Sequence, residues 1–330
     1  MKDNEAAPKA VILGGTGHIG AAIARRFHEG GYSVLATGYR EIARPNLDDL
    51  AIEIALGDDT DPAQLREWCT GAEVVVDCAT PYPVWVFDGA ARDTVGAAVA
   101  RTRTVLEAVA QTQASFVLIS SFTTLPRQES PMAAIRRGAL YGSHPYFDLK
   151  AQVERIVQDH IRAGNPGAIL APSTVFGPYD LKERAQTFIP MLLSGKVPVL
   201  ARKEMNIIDV RDVAEVAFAA RHGQLAQPIP VFGHNVWLKE LSALICEIGG
   251  TASPQVAVPS PLGAVGLYWV ETAYAATGRK TPWPSLSMLL LSASYSGDLS
   301  PEQRRLHAGL RPIDDTLRDA VEWYARIGYL

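Results

Sequence analysis

The chain has little cysteine, no long apolar run and no cluster of basic charge, and each absence removes a class of protein. Its three cysteines, Cys69, Cys78 and Cys246, are odd in number and widely spaced. They give neither a disulfide framework nor metal-ligand spacing, and read as buried free thiols in a reducing compartment. The seven histidines are scattered without ligand spacing, so no metal is expected. No window of about eighteen uninterrupted apolar residues occurs, so no membrane span is expected. The nearest stretch, residues 256–270, is broken by Pro259 and Pro261 and ended by Glu271. Met1-Lys2-Asp3-Asn4-Glu5 is too acidic for a signal peptide, and apolar residues and a glycine cluster follow almost at once. A cytoplasmic location is the resulting expectation. Lys and Arg nowhere cluster, and the formal net charge is −4, which disfavours nucleic acid or an anionic membrane as partner. A small-molecule substrate is left as the natural partner, with a homodimer compatible with the sequence.

What is present is ordinary globular composition, with 48% hydrophobic and 20% charged residues over 330 positions. That length suits one large domain, or a main domain with a smaller lobe. In the first half, short apolar runs alternate with longer helical patterns. Strands are predicted at residues 10–13, 33–37, 51–56, 73–77, 115–120 and 168–171, and helices at 19–29, 90–111 and 146–162. Such alternation implies right-handed crossovers and an α/β, doubly wound, mostly parallel sheet. The second half holds most of the prolines and is less regular. Residues 206–210, with a helix over 212–221, and residues 230–232 are expected to return to the sheet. The domain reading is therefore 1–171 for a dinucleotide, rejoined by 205–233, with 172–204 and 234–330 as a smaller substrate lobe.

Gly14-Gly15-Thr16-Gly17-His18-Ile19-Gly20 follows the first apolar run and opens a helix. The spacing of Gly14, Gly17 and Gly20 allows a tight turn, a close approach of backbone to a pyrophosphate, and helix–strand contact. The free N–H groups at the helix start favour an anion. About twenty residues on, NAD-preferring sites end their second strand with an acid. Here the strand runs into Gly38-Tyr39-Arg40, and a guanidinium suits a phosphate. The sequence thus favours NADP(H) over NAD. The alternative is a solvated Arg40 with Glu41 pointing inward.

Tyr146 and Lys150 stand four apart at a helix start, which places them on one helix face. A free phenol titrates near about 10, and a neighbouring ammonium is expected to lower that value. The same ammonium can hold ribose hydroxyls. Ser121 ends the strongest apolar strand, at the ligand-facing edge of a parallel sheet, where a hydroxyl can donate to a developing oxyanion. Tyr141 cannot supply the pair, because Pro145 stands four residues after it.

Together these residues resemble the extended short-chain dehydrogenase/reductase family, also called the epimerase/dehydratase superfamily, with its Rossmann sheet. The resemblance runs through almost the whole chain and is nearest to the dihydroflavonol-reductase-like branch. It implies catalytic roles for Ser121, Tyr146 and Lys150. It implies cofactor contacts from the loop, including Thr16, His18 and Ile19, and from Arg40. Asp58 and Asp59 resemble the segment that meets the adenine, Cys78-Ala79-Thr80 the fourth-strand end, and Pro172 and Val175 the segment that reaches the nicotinamide. Two departures separate the chain from nucleotide-sugar members. Thr174 stands where an Asn is usual, and Met205 where an Arg is usual. The acidic pair that follows the catalytic hydroxyl in dehydratases is replaced by Phe122-Thr123.

Tyr82, Trp85, Phe122, Thr123 and Phe176 are the substrate-contact candidates, in a mouth that also includes Pro83, Val84, Phe87, Leu125 and Phe188. A helix over 262–276 is a candidate lid. Few charges fall there, which suits an apolar carbonyl compound; the alternative is that the aromatics are core. The functional reading is an NADP(H)-dependent oxidoreductase moving a hydride between nicotinamide and a carbonyl or alcohol. Its rivals are a nucleotide-sugar epimerase with tightly held NAD, and a dinucleotide sensor without chemistry.

Overall fold

A computed structural model describes residues 6–39, 45–81, 83–85, 91–126, 144–181, 187–293, 297–306 and 309–330. Strands β1 (Lys9–Leu13), β2 (Ser33–Gly38), β3 (Glu53–Leu56), β4 (Ala72–Asp77), β5 (Ser115–Ile119) and β6 (Gly167–Pro172) interleave with helices α1 (His18–Glu29), α2 (Pro62–Cys69), α3 (Ala91–Thr112) and α4 (Pro145–Arg162). The second half adds β7 (Thr174–Phe176), α5 (Phe188–Leu193), β8 (Val199–Arg202), β9 (Glu204–Asp209), α6 (Val210–Ala219), β10 (Gln224–Val231), β11 (His234–Trp237) and α7 (Leu238–Ile248). It ends with β12 (Val256–Pro259), α8 (Ser260–Ala276), α9 (Ser285–Ala293), α10 (Pro301–Leu306) and α11 (Ile313–Arg326).

Among the described residues the central sheet has seven strands in the order β10-β6-β5-β4-β1-β2-β3, and every pairing in it is parallel. Strand alternation divides the core between its two faces. Ala10, Ile12, Val74, Val76, Val117 and Ile119 point to the side covered by α1 and α6. Val11, Leu13, Val75, Phe116 and Leu118 point to the side covered by α2, α3 and α4. A strand buried on both faces must be apolar throughout, which is why these runs show no polar alternation in the sequence. The doubly wound α/β fold is thus the one the sequence predicts. The order of strands reverses between β1 and β4, and there the loop after β1 meets the residues after β4. This is the crevice where such sheets bind ligands.

Residues 205–233 depart from expectation. Of the two pieces predicted to return to the sheet, only the second does, as β10 beside β6. Strand β9 instead forms a separate three-stranded sheet, parallel to β7 and antiparallel to β11. The backbone after β6 explains this. Ser173 N–H bonds to the Val231 carbonyl, and β7 then leaves the sheet plane, giving β9 its own edge to pair with. Helix α6 still comes back to pack on α1. A further core, built on Phe176, Leu192, Met205, Leu241, Leu317 and Tyr324, fills this part of the molecule. The helix predicted over 262–276 is present as α8. Among the described residues, no helix is long and apolar enough to cross a membrane.

The sheet edge also contains a buried ion network. Arg101 on α3 is 4% exposed and grips Asp77, which is fully buried at the end of β4, through two nitrogens at 2.7 and 3.0 Å. The same guanidinium reaches Asp59 at 2.7 Å. Breaking such a pair from one side strands the other charge in the interior. Arg101→Met should therefore lower unfolding free energy by about 3–5 kcal/mol in urea titration. A loss below about 1 kcal/mol would show that Asp77 finds another partner.

Candidate active site

The glycine loop is built by close approach. Gly14 has φ +72°, a left-handed conformation that L side chains rarely adopt. A Cβ on Gly20 would lie 2.1 Å from the Gly14 carbonyl oxygen, so α1 can meet the loop only through a hydrogen at that position. Thr16 is anchored through its carbonyl, which accepts from the buried Asn46 amide at 2.7 Å. Gly17 caps α1 with no side-chain hydrogen bond and no acid in the first turn. His18 begins the helix, buried, with Nδ1 3.7 Å from Asp180, and Ile19 packs beside the core of that face. The geometry is a cradle for an anion at a helix N-terminus.

On the far side of the switch point, Cys78 N–H bonds to the Leu13 carbonyl at 2.9 Å, and Ala79 N–H to Asp77 at 3.0 Å. Ala79 lies directly against Gly14. Burial, and then the neighbouring Asp77, push the Cys78 thiol up, so it stays protonated at neutral pH. Thr80 Oγ1 after β4 and Ser173 Oγ after β6 are buried without a hydrogen-bond partner among the described residues. Buried hydroxyls seldom remain unpaired. Together with the glycine cradle, these orphaned oxygens at the carboxyl edge fit a dinucleotide lying across it.

Asp58 and Asp59, the acids expected beside the adenine, are held locally. Asp58 accepts from the hydroxyl and N–H of Thr60, and the Thr60 hydroxyl first of all keeps its carboxyl below the usual range. Asp59 is tied to Arg101. Pro172 closes β6, and Val175 lies mid-strand in β7. Arg40 and Glu41, the residues that bear on cofactor choice, lie outside the described residues, as do Tyr82, Phe87 and Tyr141.

Ser121, Tyr146 and Lys150 are brought together. Tyr146 Oη donates to Ser121 Oγ at 3.2 Å, and all three side chains are buried. Thr123 closes on the same Ser121 oxygen through its N–H at 3.3 Å and its hydroxyl at 3.0 Å. Burial pushes the Tyr146 phenol up, while the Ser121 and Thr123 hydrogen bonds pull it down. The expected lowering by the lysine is therefore not what governs the tyrosine here. The Lys150 ammonium points to the Ile119 carbonyl, 3.5 Å away, and the net effect of a dry site is to keep the phenol protonated. Burial pulls Lys150 itself down to about 8, against Asp77 and Glu154, which hold its charge.

Three contributors escaped the sequence reading. His144 caps α4, its Nδ1 accepting from Tyr146 N–H at 3.2 Å, and burial lowers it to about 4, so the ring is neutral. The Pro145 at the helix start was the signal for a cap at 144. Glu154, one turn beyond Lys150, is buried and accepts from Ser120. Arg101 was only one of many arginines on a long helix. Of the substrate candidates, Trp85 donates to the Thr281 carbonyl at 3.0 Å beneath the Lys280 ammonium. Phe122 joins Leu125, Phe232 and Ala293 in a small cluster, while Phe176 belongs to the core of the other lobe.

Residues 10–228 match the sequence model of the NAD-dependent epimerase/dehydratase family. The chain is 27% identical to a putative dihydroflavonol 4-reductase of Synechocystis, over 97% of this chain and 95% of that one. It is 26% identical to a ceramide reductase of Caulobacter vibrioides, over 97% and 95%. Its fold matches the Bordetella bronchiseptica enzyme WbmH, solved with NAD+, with a TM-score of 0.70 at 16% identity, over 98% of this chain and 100% of that one.

Gly20→Ala tests the cradle. It should weaken nicotinamide dinucleotide binding about tenfold or more in calorimetric titration, since forcing a methyl against Gly14 displaces the loop. Gly96→Ala, where a Cβ meets nothing within 4 Å, should bind as wild type. Unchanged binding by a folded Gly20→Ala variant would remove the loop from the cofactor site.

Proposed function

Because the chain belongs to the NAD-dependent epimerase/dehydratase family, we propose that it is an NADP(H)-dependent reductase or dehydrogenase acting on a carbonyl or alcohol of a small, mainly apolar molecule. The observation that carries the reading is the buried contact of Tyr146 Oη with Ser121 Oγ, one helical turn from Lys150. When bound, the nicotinamide supplies or accepts the hydride. Residues 14–20 would hold the pyrophosphate, Lys150 the nicotinamide ribose, and Arg40 a 2′-phosphate. Thr80, Pro172, Ser173 and Val175 would border the ring.

In the reductive direction, Ser121 donates a hydrogen bond to the substrate oxygen while negative charge gathers on it. Tyr146 gives the proton to that oxygen; burial favours the phenol, so it is loaded at neutral pH. Lys150, still largely protonated below about 8, stabilises the phenolate left behind. Ser121 accepts from Tyr146 and Thr123, which leaves its own proton for the substrate. The oxidative direction reverses each step.

The substrate lobe is proposed as residues 172–209 and 234–330, around Trp85, Phe122 and Phe176, since β9 pairs with β7 and β11. Two features weigh against a nucleotide-sugar epimerase. Met205 is 1% exposed in the lobe's core, where no cation can meet a diphosphate, and Thr174 offers a hydroxyl in place of an amide. The relatives named for reducing a dihydroflavonol and a ceramide point to carbonyl reduction of less polar molecules.

The experiment is a screen of apolar ketones and aldehydes by loss of NADPH absorbance, repeated with Tyr146→Phe. Phe keeps the ring packing and removes the proton donor. Turnover should fall roughly 10²- to 10⁴-fold with the melting temperature and NADPH affinity retained. Near-native turnover by the folded variant would reject the assignment.

A further inference from the structure

We propose that Glu154 is a positioning residue, a buried carboxylate that clamps the turn carrying Ser121 onto helix α4 and holds the charge of Lys150. The proposal rests on the reading of Ser121, Tyr146 and Lys150 as the reacting set. Tyr146, Lys150 and Glu154 are spaced i, i+4 and i+8, so they form one stripe along α4. Each meets the end of β5 in register. Tyr146 meets Ser121, Lys150 meets the Ile119 carbonyl, and Glu154 meets Ser120.

The Glu154 contacts are the shortest of the three. Its Oε2 accepts from Ser120 Oγ and from Thr124 Oγ1, both at 2.6 Å, and Oε1 faces the Gln158 amide at 3.4 Å. Ser120 and Thr124 flank Ser121 on either side, so one oxygen ties down both ends of the turn that presents the Ser121 hydroxyl. Hydrogen bonds to an ionised acceptor are about twice as strong as neutral ones, and burial excludes water as a competitor. Glu154 is 5% exposed, a position at which a carboxylate is retained only with such partners.

The charge acts as well. Around Lys150 stand Asp77 and Cys78 from the end of β4, Arg101 from α3, and Glu154 from its own helix. Asp77, which does most to hold the ammonium, shares the Arg101 guanidinium with Asp59. Among the described residues the hydrogen-bond partners of Glu154 are two hydroxyls and an amide, none of them a cation. Glu154 is, with Asp77, one of the two anions that favour the ammonium.

Two substitutions separate the roles. Glu154→Gln keeps the shape and an acceptor oxygen but removes the charge; Glu154→Ala removes both. The Lys150 ammonium is followed by nitrogen NMR across neutral to alkaline pH, assigned by its loss in Lys150→Met. Glu154→Gln should move its titration midpoint down by roughly half a unit or more, because losing a nearby anion disfavours the cation. The alkaline limb of kcat should move down with it. Glu154→Ala should lower kcat about tenfold or more, with KM within about threefold, since misplacement of a donor costs rate before binding. An unmoved midpoint in Glu154→Gln, or full kcat in a folded Glu154→Ala, overturns the proposal. If Glu154→Ala does not fold, Ser120→Ala takes its place and should lose kcat in the same way. The midpoint is read without turnover. An unmoved midpoint in an enzyme that depends on Tyr146 removes Glu154 alone, whereas turnover indifferent to Tyr146 removes the reaction itself.

Discussion

A lysine ammonium buried at the carboxyl edge of a parallel sheet is the constraint around which this molecule is arranged. Desolvating that charge is costly, and burial, outweighing the nearby anions, draws Lys150 down to about 8. What keeps the ammonium in place is the join between α4 and β5. The helix lays three polar side chains along the strand's end, while the neighbouring stripe, Leu149, Val153 and Val157, fills the core on that face of the sheet. The apolar packing fixes the height and rotation of α4. The polar contacts then follow without further adjustment, because residues four apart on a helix lie above one another. Tyr146, nearest the helix start, is positioned through its own backbone as well, by the His144 cap.

The same edge explains why the glycine loop, the ion network and the hydroxyl turn lie close together. At the reversal of strand order, β1 and β4 run side by side and then diverge, and Gly14 comes against Ala79 in the gap. Asp77 at the end of β4 is seated by Arg101, and the backbone that follows is drawn onto it through Ala79. A shift of Arg101 would therefore be felt both at the loop and beside Lys150. The second half of the chain borders this edge from β7 onward, with its own sheet and its own apolar core.

Much of this was legible in the sequence. Runs such as Glu-Val-Val-Val-Asp and Ser-Phe-Val-Leu-Ile-Ser gave their strands to within a residue or two, because strands buried on both faces must be apolar at every position. The glycine loop and the Tyr146–Lys150 pair were legible because their spacing alone sets their geometry. The pairing of β9 was not, since a strand's apolar pattern states that it is buried and not which edge it joins. Glu154 and Arg101 were hidden for a related reason. A charge on an amphipathic helix reads as a solvated face until the partner across the fold, here Ser120 or Asp77, is known. The effect of the site on Tyr146 was also misjudged, since sequence spacing gives the nearness of the lysine but not the burial that outweighs it.

The central claim is that chemistry occurs where Ser121, Tyr146 and Lys150 converge. A crystal structure of the chain grown with NADP+ tests it most directly. The account predicts the pyrophosphate on residues 14–20, the nicotinamide ribose within hydrogen-bond distance of Lys150 Nζ, and the nicotinamide C4 facing the Ser121 and Tyr146 hydroxyls. A cofactor bound elsewhere, or one whose nicotinamide points away from those hydroxyls with Lys150 untouched, would contradict it.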